Sequence, residues 1–150
     1  MRLPHCETLA QTQKCLDELI IETPAGAWTS VVRAVETPES ALVVGLCGIA
    51  VLTKSETGEI WYLVRHDRWG QGIAQFAAGE LLRIGFSELK LHRIFATCLP
   101  ENPASARVLE KIGMRRENYQ LKNLKIHDVW HDSYQYGIVR PEWEAARISG

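Results

Sequence analysis

Residues 59–114 constrain the fold more than any other part of the chain. They open with Glu59-Ile60-Trp61-Tyr62-Leu63-Val64, a run of strand-forming residues. Arg68-Trp69-Gly70-Gln71-Gly72-Ile73-Ala74 follows as a glycine turn. From there the pattern turns helical, with Ile73, Phe76, Ala77, Leu81 and Ile84 spaced to form one apolar face. His92 to Cys98 is a second β-rich run. Asn102-Pro103-Ala104-Ser105 then opens another helical pattern that ends at Gly113. The order is strand, glycine turn, helix, strand, helix. A helix of this length serves as a crossover, so the two strands are expected to be parallel.

Gly70 and Gly72 stand where strand gives way to helix. Glycine permits backbone angles that other residues resist and lets a ligand approach the main chain. The first amides of a helix lack internal partners, and with the helix dipole they suit a diphosphate. Arg68 would add a positive charge. On the residues alone, an ordinary strand-to-helix turn explains the glycines equally well. A dinucleotide fingerprint needs three spaced glycines and an acidic residue about 20 positions on, and Ala74 and Gln75 do not complete it. A phosphate loop needs Gly-Lys-Ser/Thr, which is absent.

Taken with its surroundings, the turn resembles the acetyl-CoA pyrophosphate loop of the GCN5-related N-acetyltransferase (GNAT) superfamily. That loop is usually Gln/Arg-x-x-Gly-x-Gly/Ala. Gly72 and Ala74 match it, and Trp69 replaces the first Gln or Arg. The resemblance is closer to the RimJ/RimL-like branch, which acetylates ribosomal-protein N-termini and often has Trp-Gly-x-Gly here. Gly58-Glu59-Ile60, Leu91-His92-Arg93-Ile94, Glu101 to Ser105, Val108 to Met114 and a closing Asp132 to Trp143 are similar to that branch too. The likeness is specific from Gly58 to Trp143 and loose before Ala41. It implies an α/β (α+β) fold with a mixed, mostly antiparallel sheet. A splayed parallel pair would sit at its centre, with helices on both faces.

The rest of the chain bears on partners and boundaries. Its 150 residues suit one domain with a real core, spanning 1–150. The net charge of −1 and the lack of a basic run argue against nucleic acid as a partner. Lys111, Arg115, Arg116, Lys122 and Lys125 form a small basic cluster, either a solvated face or a steering surface for an anionic cofactor. No apolar run reaches the roughly 18 to 20 residues of a membrane helix, and Met1 to His5 is no signal segment, so a cytoplasmic protein without membrane attachment is expected. Cys6, Cys15, Cys47 and Cys98 lack metal-ligand spacing and are expected as free thiols, with no metal bound.

Thr8 to Ile21 has helical spacing, Trp28 to Glu36 is β-rich, and Thr37 to Ser40 is a turn. Ala41 to Leu52 is expected as a central strand, and Ser55 to Gly58 as a hairpin turn. Met114 to Leu124 and Trp130 to Val139 are expected as paired strands around a loop at Asn123 to Asp128. A short helix follows from Pro141 to Arg147. The resembled fold begins with a strand and two helices, whereas one helical segment precedes Trp28. The opening strand and first helix are therefore expected to be missing, which leaves that side open or covered by a second subunit in a homodimer.

The resemblance implies an acetyl-CoA-dependent acyltransferase, in which an amine attacks the thioester directly. It places the cofactor on Leu63 and Val64 through their main chain, on Arg68, Trp69, Gly70, Gln71, Gly72 and Ala74 through the turn, and on Asn102 and Ser105. Asn102 suits a helix N-cap equally well. Many superfamily members use a tyrosine to protonate the leaving thiolate, and the matching position here is Leu109. The ribosomal-protein branch has a serine instead, which matches Ser105. A helix-start serine bonded to backbone is the plainer role. An alkylammonium of pKa about 10 must lose a proton before it attacks. Glu59 matches an acidic position suited to take it, or is an exposed strand carboxylate. A late carboxylate used by relatives aligns with Leu124. His66, His92, His127, His131 and Tyr136 are further candidates. Tyr136 reads as core with a hydroxyl that needs a partner. The alternative function is an inert CoA-binding domain acting through partners.

Overall fold

The structure, a computed structural model, describes residues 28–36, 42–52 and 54–149. Strands β1 (Trp28–Glu36), β2 (Val43–Leu52) and β3 (Thr57–Val64) come first. Helix α1 (Ile73–Arg83), β4 (Arg93–Cys98) and α2 (Pro103–Lys111) follow. β5 (Arg115–Ile126), β6 (Val129–Val139) and α3 (Arg140–Ser149) complete the order. The helix expected over Thr8 to Ile21 and the turn at Thr37 to Ser40 lie outside the described residues. So does the segment on which the missing elements and the second subunit were argued.

The six strands form one sheet in the order β1-β2-β3-β4-β6-β5. Only β3 and β4 run parallel; the other four pairings are antiparallel. This is the mixed sheet with a parallel pair at its centre that the crossover helix predicts. The parallel ladder is short, with Thr57, Gly58 and Glu59 opposite Arg93, Ile94 and Phe95. Beyond Glu59 the two strands no longer pair.

Alternation along the strands builds the core. Ile94, Ala96 and Cys98 of β4 are buried, together with Cys47 and Ile49 of β2, Ile60 of β3, and Tyr136 and Ile138 of β6. Ala77, Ala78, Leu81 and Leu82 of α1 and Leu109 of α2 close the same cluster. The α1 stripe thus differs from the expected face: Ala78 and Leu82 join it, and Ile73 is only half-buried. Phe76 is 67% exposed, because it lies one helical step outside the 77/78/81/82 stripe. After Arg83 the helix widens into a π turn over Ile84–Glu88, where the Leu89 N–H reaches back five residues to the Ile84 carbonyl (2.9 Å). Arg140, at the start of α3, donates to the Phe86 carbonyl (2.9 Å) and to the Leu91 carbonyl, tying the C-terminal helix to this turn.

The β5/β6 connection is tighter than expected. β5 continues to Ile126, and only His127 (φ 47°) and Asp128 (φ 62°) form the turn. Two consecutive left-handed residues are what a two-residue hairpin needs. No helix among the described residues is long and apolar enough to cross a membrane.

Candidate functional site

The end of the parallel ladder creates the site. The Arg65 N–H donates to the Val44 carbonyl across the β2/β3 ladder (2.8 Å). Main-chain groups alternate sides along a strand, so those of Leu63 also turn towards β2. Those of Ile60, Tyr62 and Val64 turn towards β4, which no longer pairs there. Leu63 lines the resulting cleft, but its main chain is turned to β2 and, against expectation, does not face the gap. The Val64 carbonyl accepts the Trp69 indole N–H (2.9 Å), which leaves the Val64 N–H directed at the gap.

The cleft is about 620 Å³ in volume and runs from Glu59 and Thr97 along β3 to the glycine turn and α2. At the turn, His66–Arg68 forms one 3-10 coil, and the His66 and Trp69 rings meet at 4.4 Å. Gly70 (φ 76°) and Gly72 (φ 77°) both take left-handed angles. Gly72 caps α1 with no side-chain hydrogen bond, and the first helical bond runs from the Phe76 N–H to the Gly72 carbonyl (3.0 Å). The amides before Phe76 therefore stand outside the helix ladder. Among the described residues, no atom beyond the adjoining chain neighbours lies within 4 Å of where a Cβ would stand on Gly70 or Gly72, so a ligand can approach this backbone.

Gly70, Gly72, Ala74, Arg68 and Trp69 all line the cleft. Gln71 does not; it is exposed, and Gln75 lines the cleft instead. Two cations of α2 line the cleft as well: Lys111, from the basic cluster noted in the sequence, and Arg107, which the motif reading passed over. Their signal was the helical recurrence of Ala104, Val108 and Lys111 beside Arg107, which puts these residues on one side of α2.

Across the gap, Asn102 is the N-cap of α2. Its Oδ1 accepts the Ser105 N–H (3.1 Å), as the capping alternative predicts. Ser105 Oγ lies 2.9 Å from the Tyr62 hydroxyl. Sequence reasoning left Tyr62 without a role, because its partner stands 43 positions away. On the other side, Glu59 Oε1 accepts a hydrogen bond from the Thr97 hydroxyl (3.2 Å). Glu59 and Ser105 thus line one cleft.

The other candidates separate. Leu109 is buried and supplies no hydroxyl. Leu124 faces His131 across the β5/β6 ladder. His127 lines the cleft from the hairpin turn, whereas His92 is exposed beside β4. Tyr136 is buried and donates to Glu110 (3.0 Å), the partner its hydroxyl requires. Burial and the Glu110 carboxylate push its phenol up to about 12.

A strand edge facing a gap, open glycines, helix-start amides and three nearby cations suit an extended, phosphorylated carrier. A family model described as "Acetyltransferase (GNAT) domain" matches residues 1–115. The chain belongs to the GNAT acetyltransferase family. Over 87 residues it is 45% identical to the uncharacterized N-acetyltransferase YnaD of Bacillus subtilis (strain 168), covering 58% of this chain and 51% of that protein. A crystal structure of a GNAT-family acetyltransferase from Bacillus anthracis superposes with a TM-score of 0.67 at 40% identity, covering 72% of this chain and 65% of that one. The [ribosomal protein uS5]-alanine N-acetyltransferase of Escherichia coli (strain K12) is 28% identical over 82 residues, 54% of this chain and 42% of that enzyme. This GNAT chain spans about half the length of the curated relatives it matches.

Proposed function

We propose that residues 1–150 form one acetyl-CoA-dependent N-acetyltransferase domain that moves an acetyl group to a primary amine. The observation that carries this is the gap between β3 and β4, which opens at one end onto the amides before Phe76. Bound acetyl-CoA supplies the acetyl group as a thioester. The main chain of Tyr62 and Val64 orients the carrier's amides as an added strand would. The turn at Gly70 to Ala74, with Arg68, holds its paired phosphates, and Arg107 and Lys111 add charge along α2. Asn102 keeps its amide nitrogen for the carrier while its oxygen caps the helix.

Glu59 takes the proton of the incoming amine, through a water, and Thr97 fixes the carboxylate that does so. A main-chain amide of β3 near Leu63 supports the developing oxyanion. Ser105 Oγ gives its proton to the departing sulfur. Among acceptors we favour a protein N-terminus, in the RimJ/RimL-like manner. The similarity to the uS5-alanine enzyme supports that choice over a small-molecule amine.

The test is thiol release from acetyl-CoA in the presence of an alanine-initiated peptide and, separately, a polyamine. Release that requires the peptide supports the reading. Binding of acetyl-CoA without release to any amine would make the chain an inert CoA-binding domain instead.

A further inference from the structure

We propose that Tyr62 is the net proton source for the leaving thiolate and that Ser105 only relays its proton. This rests on the transferase reading above. Two hydroxyls, one from β3 and one from the first turn of α2, meet at 2.9 Å inside the cleft. One of them must donate to the other. If Ser105 donated to Tyr62, its proton would be turned away from the sulfur. A phenol, with a reference pKa of about 10, is far more acidic than an alkyl hydroxyl and is the stronger donor. The Ser105 carbonyl also lies within reach of the Tyr62 hydroxyl, further off at 3.4 Å. With Tyr62 donating, the Ser105 hydrogen is left available to the cleft, and a hydroxyl that accepts a hydrogen bond donates more strongly.

The step balances without any further reactant. The amine nitrogen bonds to the acetyl carbon, and the carbon–sulfur bond breaks. Ser105 Oγ passes its proton to sulfur and takes the Tyr62 proton. The Tyr62 oxygen regains a proton from water, which offsets the one the amine released.

Tyr62→Phe, Ser105→Ala and the double variant decide the matter. Tyr62→Phe keeps the ring and its packing, so folding is preserved, and a melting curve confirms it. The dissociation constant for acetyl-CoA should stay within about twofold in Tyr62→Phe, whose lost hydroxyl meets Ser105 rather than the carrier. The kcat for thiol release should fall about 100-fold in either single variant. The double variant should be no slower than the slower single one, because the two groups act in series.

A readout independent of turnover is the binding of free CoA. Donors aimed at sulfur favour its thiolate. Wild-type protein should therefore bind CoA progressively more tightly than acetyl-CoA from about pH 7 to about pH 9, as the thiol titrates. Tyr62→Phe should lose most of that gain. Unchanged kcat and an unchanged CoA gain in Tyr62→Phe would overturn the proposal, as would multiplicative losses in the double variant or weakened acetyl-CoA binding in Tyr62→Phe. Failure of the wild type to acetylate any amine would refute the transferase reading alone. The CoA titration would still report whether the hydroxyl pair reaches the sulfur.

Discussion

Gly72 holds a φ of 77° at the N-cap of α1, with open space where a side chain would be. An alanine there meets no atom, so its cost is the backbone angle alone, about 1 kcal/mol. Gly72→Ala should lower the melting temperature by about 2–4 °C and weaken acetyl-CoA binding. Gly72→Asn should recover most of the stability, because asparagine tolerates the left-handed region. Tyr136 gives a second prediction. Its folded-state phenol is raised from 10 to about 12. The stability this supplies is complete below about pH 10 and is lost as pH rises through about 12. Thermal melts should show an alkaline loss over that window, and Tyr136→Phe should lack it. The glycines and the need of Tyr136 for a partner were legible in the sequence, since both follow from the residue's own chemistry. The role of Tyr62 was not, because it depends on which helix the fold brings against β3.

Between elements, Arg93 of β4 reaches across β6 to Glu117 of β5. Its two guanidinium nitrogens donate to the two carboxylate oxygens at 3.0 and 2.6 Å. The pair passes over Gly137 of β6, where an added Cβ would stand 1.7 Å from Glu117 Oε1 and 2.8 Å from Arg93 Nη2. Gly137→Ala should therefore break the pair and destabilise the sheet by about 1–3 kcal/mol, measured by urea unfolding. The Arg93 guanidinium holds the Glu117 carboxyl below its ordinary value. That contribution is present above the unfolded carboxylate pKa and is lost as pH falls through the lower, folded one. Glu117→Gln should flatten the acid limb of stability against pH. The strands that carry this pair were readable in the sequence, β4 from its run of strand-forming residues. The turn at His127 and Asp128 was not, because neither is the glycine or asparagine that marks a two-residue hairpin. The π turn after Arg83 escaped for a similar reason. It is fixed by packing, since Gly85 lets the helix end lie against Ile94, with only 2.4 Å from a Cβ position to Ile94 Cδ1.

At the scale of the molecule, the parallel pair in the centre of the sheet followed from one crossover helix. The length of its ladder did not follow, since three paired residues and then a gap reflect how β3 and β4 diverge in space. That divergence turns two ordinary strands into a cleft. The account stands on acetyl-CoA entering there with its phosphates on the α1 amides. The most direct measurement is the melting temperature of the intact chain in a titration of acetyl-CoA, run in parallel on a variant with alanine at both Gly70 and Gly72. A ligand at about 100 times its dissociation constant stabilises the folded state by about 2.7 kcal/mol, so the wild type should melt several degrees higher and the variant should gain far less. A wild-type curve that does not move, or a variant that gains as much, would contradict it.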